Sequence, residues 1–144
     1  MLGIIVPTFN RKEITIAFVN NLYRQSYRLW ELIVCDSGST DGTVQELENF
    51  SQVCILDVGS NNWWTGAVNI GMKYAMGRNY SHIIIMNYDL FMNPDFIEKV
   101  IRNINLLPNA LHTVKQTSLY GLDFYGYREK GLCRRTFYLK CEIS

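Results

Sequence analysis

Four apolar runs, each closed by polar residues, constrain this chain more than any other feature. LGIIV (2–6), WELIVCD (30–36), VCILDV (53–58) and HIIIMN (82–87) read as strands. The first and last are continuously apolar and do not alternate, which marks strands covered on both faces. Between the runs lie helical stretches: 11–25, a short one reaching about Phe50, 65–78, and one from Pro94 to about Ile104. Strands alternating with helices indicate βαβ units. The expected fold is α/β, with a mostly parallel central sheet between helical layers.

The helices carry local signals. Ile14, Phe18 and Leu22 are spaced four apart and share a face, with Ala17 beside them. Asn10 is placed as an N-cap, and Glu13 three residues on completes a capping box. In the third helix Ala67, Ile70, Tyr74 and Ala75 or Met76 are expected inward. Pro94 suits a first helical turn, with Asn93 as its cap. After about residue 107 the pattern changes. GLDFYGYREKGLCRRTFYLKCEIS is rich in aromatics, Gly and Arg, with one or two strands expected in CRRTFYLKCEI. The chain therefore divides into 1–107, a regular α/β core, and 108–144, a less regular remainder.

Composition excludes some classes of function. A chain of 144 residues with 48% apolar content can bury one real core. Its net charge of +1 leaves no electrostatic footprint for nucleic acid. Cys35, Cys54, Cys133 and Cys141 form no CxxC pair, and the first two sit in apolar runs, as buried free thiols in a reducing compartment do. Met1 leads straight into a run broken by Pro7, so no signal peptide is read. No apolar stretch reaches the roughly 20 residues that span a bilayer.

In parallel sheets ligands bind beyond the carboxyl ends of the strands. That rule selects Pro7 to Asn10, Asp36 to Ser39, Gly59 to Trp64, and Asn87 to Asp89. A carboxylate that ends a buried strand, as Asp36 and Asp89 do, serves either a turn or a ligand. For Asp89 the ligand reading is a metal at the mouth of the sheet. Gly38 and Ser39 allow a tight turn and offer backbone N–H groups. Gly66 and Gly71 each cost a helix about 1 kcal/mol relative to Ala, which suggests close approach by backbone or ligand. One of Trp63 and Trp64 is expected to pack and the other to wall a pocket.

IIVPTFNR, ELIVCDSGSTDGT, NNWWTGAVNIGMKYA and IIIMNYDLFMNPDF come in the order and spacing of the family 2 glycosyltransferases. The resemblance covers roughly residues 3–105, and the third segment is most similar to a rhamnosyltransferase-like or galactofuranosyltransferase-like branch. It implies the GT-A fold, a Rossmann-like three-layer α/β/α arrangement. It also implies a donor half over 1–107 and the start of an acceptor side, incomplete or divergent, over 108–144. The implied activity is transfer of a sugar, with inversion, from a UDP- or dTDP-linked donor to a surface-polysaccharide or lipid-linked glycan.

The resemblance also implies roles for residues. Asp36 accepts from the imide of the base, and Pro7, Thr8 and Asn10 pack along base and ribose beside Gly38 and Ser39. Trp64, Gly66 and Asn69 border the donor. Asp89 matches the family's metal-binding aspartate, which holds magnesium or manganese. Asn87 departs from that motif's first aspartate and is left to bond a ribose hydroxyl. No general base is matched: Asp123 and Glu129 stand in the right part of the chain by position only. The resemblance places the protein in the cytoplasm, at the inner membrane face, and reads the chain as truncated. A nucleotide-sugar-binding fragment without transferase activity is the alternative. A nucleotidyltransferase is a more distant one, since PTFNRKE lacks the glycines a triphosphate loop uses.

Overall fold

The computed structural model describes residues 1–106 together with 116–117 and 123–124. Four strands, β1 (Leu2–Thr8), β2 (Trp30–Asp36), β3 (Val53–Asp57) and β4 (His82–Ile85), form one sheet in the order β3-β2-β1-β4, and every pairing is parallel. Helices α1 (Lys12–Tyr23), α2 (Thr43–Leu47), α3 (Trp64–Met76) and α4 (Phe96–Leu106) connect and cover them. A short antiparallel pair, β5 (Gln116–Thr117) and β6 (Asp123–Phe124), follows. The strands expected in CRRTFYLKCEI, and Glu129, Cys133 and Cys141, lie outside the described residues.

The sheet has a core on each face, as the continuous apolar strands require. On one side Leu2, Ile4, Val6, Leu32, Val34 and Ile84 pack with Phe18, Val19 and Leu22 of α1, Leu47 of α2, and Ile97, Val100 and Ile104 of α4. On the other, Ile5, Ile33, Cys35 and Ile83 pack with Ala67 and Ala75 of α3. This is the expected three-layer α/β/α arrangement.

Three local expectations need correction. The buried face of α1 is Thr15, Phe18, Val19 and Leu22, while Ile14 and Ala17 are exposed. Thr15 is tolerated inside because its hydroxyl is 3.0 Å from that of Thr8, so a polar atom is buried with its partner. Asn10 does not cap α1. It sits at φ 48°, in the left-handed region that Asn enters more readily than most residues, and Arg11 occupies the cap position without a side-chain bond. Helix α4 starts at Phe96, two residues after Pro94, with Phe96 N–H donating to Asn93 O at 3.0 Å. In α3, Ala67 and Ala75 are buried as expected, Ile70 and Tyr74 only partly, and Met76 is exposed.

Gly71 explains itself by packing. A Cβ built there would lie 2.6 Å from Cys35 Sγ and 2.8 Å from Ile5 Cγ2. The glycine lets α3 sit down on β1 and β2, and its helical cost is offset by that approach. Cys35 is buried and free, and Cys54 is partly buried and free, donating to the Tyr74 hydroxyl at 3.1 Å. Among the described residues no helix is long and apolar enough to cross a membrane.

Candidate functional site

The carboxyl ends of β1, β2 and β4 and the loop before α3 meet around a cavity of about 200 Å³. Its walls are Pro7, Thr8, Phe9, Ser37, Ser60, Asn62, Trp63, Trp64 and Tyr88. Register aligns the strand ends, with Thr8 opposite Asp36 across β1 and β2. Of the residues expected from sequence, Pro7, Thr8 and Trp64 line the cavity. Phe9, Ser37, Ser60, Asn62 and Tyr88 carry no individual signal in the sequence, although all lie in the strand-end segments the parallel-sheet rule selects, and Trp63 lines the cavity together with Trp64.

Beside this cavity Asp36, Ser39 and Asn10 form a chain of hydrogen bonds. Asp36 is 3% exposed. Its Oδ2 accepts from the N–H groups of Gly38 at 3.0 Å and Ser39 at 2.8 Å, and its Oδ1 accepts from the Ser39 hydroxyl. That hydroxyl in turn accepts from Asn10 N–H at 2.9 Å. Asn10 Oδ1 accepts from Thr40 N–H at 2.8 Å. Gly38 makes the turn possible at φ 86°, where a Cβ would be strained. A carboxylate oxygen has two acceptor directions. Oδ2 uses both of its own and Oδ1 uses one, which leaves one acceptor direction on a carboxylate that is itself buried, beside the lining residues Thr8 in register and Ser37 in sequence.

Asp41 ties the next loop to α1. Its Oδ2 accepts from Lys12 N–H at 3.0 Å and its Oδ1 from Thr43 N–H at 3.1 Å and from the Thr43 hydroxyl. The Thr43 hydroxyl bond, with those backbone donors, holds the Asp41 carboxyl below its ordinary value.

The tryptophan expectation changes. Trp63 is 88% exposed and Trp64 48% exposed, so neither is a packing residue; both stand at the cavity. Trp64 Nε1–H donates to Asn87 Oδ1 at 3.0 Å, joining the first residue of α3 to the segment after β4. Gly66 lies against Asn62, whose Oδ1 would be 2.8 Å from an added Cβ. Asn62 is itself fixed, its carbonyl accepting from Ser37 Oγ at 3.0 Å and its Nδ2 donating to Val58 O. Asn69 is exposed on α3 and is not among the cavity residues. The α3 terminus has no side-chain cap and no acidic residue in its first turn, so its positive dipole end is uncompensated.

The stretch just after Asp89 is held by Asn21 of α1 and by Gln25, which follows that helix. Asn21 Nδ2 donates to Met92 O at 3.1 Å and its Oδ1 accepts from Met92 N–H at 3.0 Å. Gln25 does the same with Asn93 O at 2.9 Å and Ile97 N–H at 3.1 Å. Asp89 itself is exposed. Among the described residues no group of three or more His, Cys, Asp or Glu side chains is placed to hold a metal. One hard carboxylate suits magnesium or manganese when phosphate oxygens complete the shell. Among the described residues, Asp89 would therefore fit a metal whose shell a bound diphosphate completes.

The family described as Glycosyl transferase family 2 matches residues 3–131. The chain belongs to that family. Among its curated relatives is the UDP-Glc:alpha-D-GlcNAc-diphosphoundecaprenol beta-1,3-glucosyltransferase WfgD of Escherichia coli, 34% identical over 80 residues, which are 54% of this chain and 32% of WfgD. An uncharacterized glycosyltransferase of Haemophilus influenzae is 28% identical over 109 residues, 76% of this chain and 36% of the relative. This chain thus spans about a third of the length of such relatives. Solved structures share the fold. S. aureus TarS 1-349 in complex with UDP-GlcNAc has a TM-score of 0.67 at 20% identity, covering 92% of this chain and 37% of TarS 1-349. The mannosyltransferase PcManGT from Pyrobaculum calidifontis, in complex with GDP-Man and Mn2+, has a TM-score of 0.64 at 20% identity, covering 72% and 32%.

Proposed function

We propose that residues 1–107 form the donor-binding half of a glycosyltransferase that takes its sugar from a UDP-linked donor. The observation that carries this reading is the cavity at the carboxyl edge, walled by Phe9, Trp63, Trp64 and Tyr88, with Asp36 and Asp89 each next in sequence to a lining residue, Ser37 and Tyr88. In this reading the base lies along Pro7 and Thr8, and the remaining acceptor direction of Asp36 takes its imide N–H. Asn10, Gly38 and Ser39 hold Asp36 in place. Trp64 and Gly66 border the ribose and diphosphate, beside the uncompensated N-terminus of α3, and Asn69 serves the sugar from the same helix. Asp89 would hold magnesium or manganese, which neutralises charge on the leaving diphosphate.

The relatives supply the finer reading. WfgD and WfaP of Escherichia coli are both named for UDP-glucose and for an acceptor on diphosphoundecaprenol. We extend to this chain a UDP-glucose donor, in place of the rhamnosyl or galactofuranosyl branch read from the tryptophan segment. A lipid-linked acceptor follows, with the chain working at the cytoplasmic membrane face. Transfer with inversion needs a base that takes the acceptor proton, and it belongs to the acceptor side beyond residue 107. Saturation-transfer NMR with UDP-glucose tests the reading. Uracil and ribose protons are expected to receive the strongest transfer, and an absence of transfer from folded protein would overturn it.

A further inference from the structure

Asn87 makes one polar contact that the donor reading does not require. Its Oδ1 accepts the indole N–H of Trp64, while Trp64 and the adjacent Tyr88 both line the cavity. One partner opens α3 and the other follows β4, 23 residues apart in sequence. Trp64 is 48% exposed, so packing alone does not fix its ring. It is also the first residue of α3, where the chain has just left an irregular loop.

Resting on the donor-site reading, we propose that Asn87 is a positioning residue. It holds the Trp64 indole across the cavity mouth, so that the ring presents a fixed wall to the nucleoside diphosphate. The amide is suited to this. It accepts the indole proton without placing a second negative charge beside Asp89 and the diphosphate. A carboxylate at position 87 would accept the same proton, but its charge would need a cation close by whenever the diphosphate is bound. Donor binding then depends on Asn87 through Trp64, and depends on metal less than it would with aspartate there.

A double-mutant cycle on UDP affinity, read by calorimetry in manganese, separates this from direct contact between Asn87 and ligand. Asn87→Leu removes the acceptor, and Trp64→Phe removes the donor N–H but keeps a ring. Each is expected to weaken UDP binding about five- to tenfold, the worth of one hydrogen bond. The double variant is expected to bind no worse than the weaker single one. Asn87→Asp is expected to bind like wild type at saturating manganese and to lose affinity when manganese is withdrawn. Losses that multiply in the double variant overturn the proposal, as does an Asn87→Leu protein that binds like wild type. A wild type that binds no UDP overturns the donor reading together with it, whereas multiplying losses leave that reading standing. Thermal melting of each variant reports any loss of fold separately.

Discussion

The backbone N–H of Asn10 donates to the Ser39 hydroxyl at 2.9 Å, across 29 residues of sequence. The Ser39 hydroxyl donates in turn to Asp36 Oδ1, and Asn10 Oδ1 accepts from Thr40 N–H. The loops after β1 and β2 are therefore one hydrogen-bonded unit, and the acceptor direction left on Asp36 is fixed by residues from both. The left-handed backbone of Asn10 is the local strain that this closure sustains.

Replacing Asp36 by Ala strips partners from the Gly38 and Ser39 N–H groups and from the Ser39 hydroxyl. Unpaired polar groups of this kind cost about 1–3 kcal/mol in total stability. Asp36→Ala is expected to lower the urea midpoint and to weaken UDP binding both with and without manganese. Unchanged binding would remove Asp36 from the site.

Gly71→Ala gains about 1 kcal/mol of helix propensity and loses more to overpacking, about 1–3 kcal/mol, because the new methyl meets Cys35 Sγ and Ile5. Chemical denaturation is expected to show a lower midpoint. Adding Cys35→Ala is expected to recover part of the loss by removing the sulfur, and no recovery would argue that Ile5 alone sets the contact.

Burial pushes the Cys35 thiol up from 9.0 to about 12. The folded state therefore holds this proton more tightly than the unfolded chain does. The corresponding stability is complete below pH 9 and is lost as pH rises toward 12. Tyr80, raised by burial and by its bond to Glu31, acts in the same direction. Stability measured by urea titration is expected to fall through this window, and Cys35→Ala is expected to flatten the fall. In folded protein at pH 8, iodoacetamide is expected to leave Cys35 unlabelled and to label it once urea is added.

Much of the fold was legible because it rests on solvent exclusion. The four apolar runs became the four strands of one sheet, and the polar residues that close them gather at one edge. What was not legible depends on contacts distant in sequence. Thr15 is an inward residue only because Thr8 stands beside it, so spacing favoured Ile14 instead. Asn10 carried a sound capping signal, but Ser39 and Thr40 offered it better partners. Asn21 on α1 and Gln25 just after it clasp the backbone of 92–97, which follows Asp89, a role that no local pattern in the sequence announces. Trp64 lines the cavity, but so does Trp63, against the expectation that one of the pair packs. The bond of Trp64 to Asn87 has no trace in either segment alone.

The most direct test is calorimetric titration of wild type and Asp89→Ala with UDP and with dTDP, each with and without manganese. The site described here predicts that wild type binds UDP more tightly when manganese is present. Asp89→Ala is expected to lose that enhancement while melting at the same temperature, since its side chain is exposed. Folded wild type that binds neither nucleotide, or an Asp89→Ala protein that keeps the full manganese effect, would contradict it.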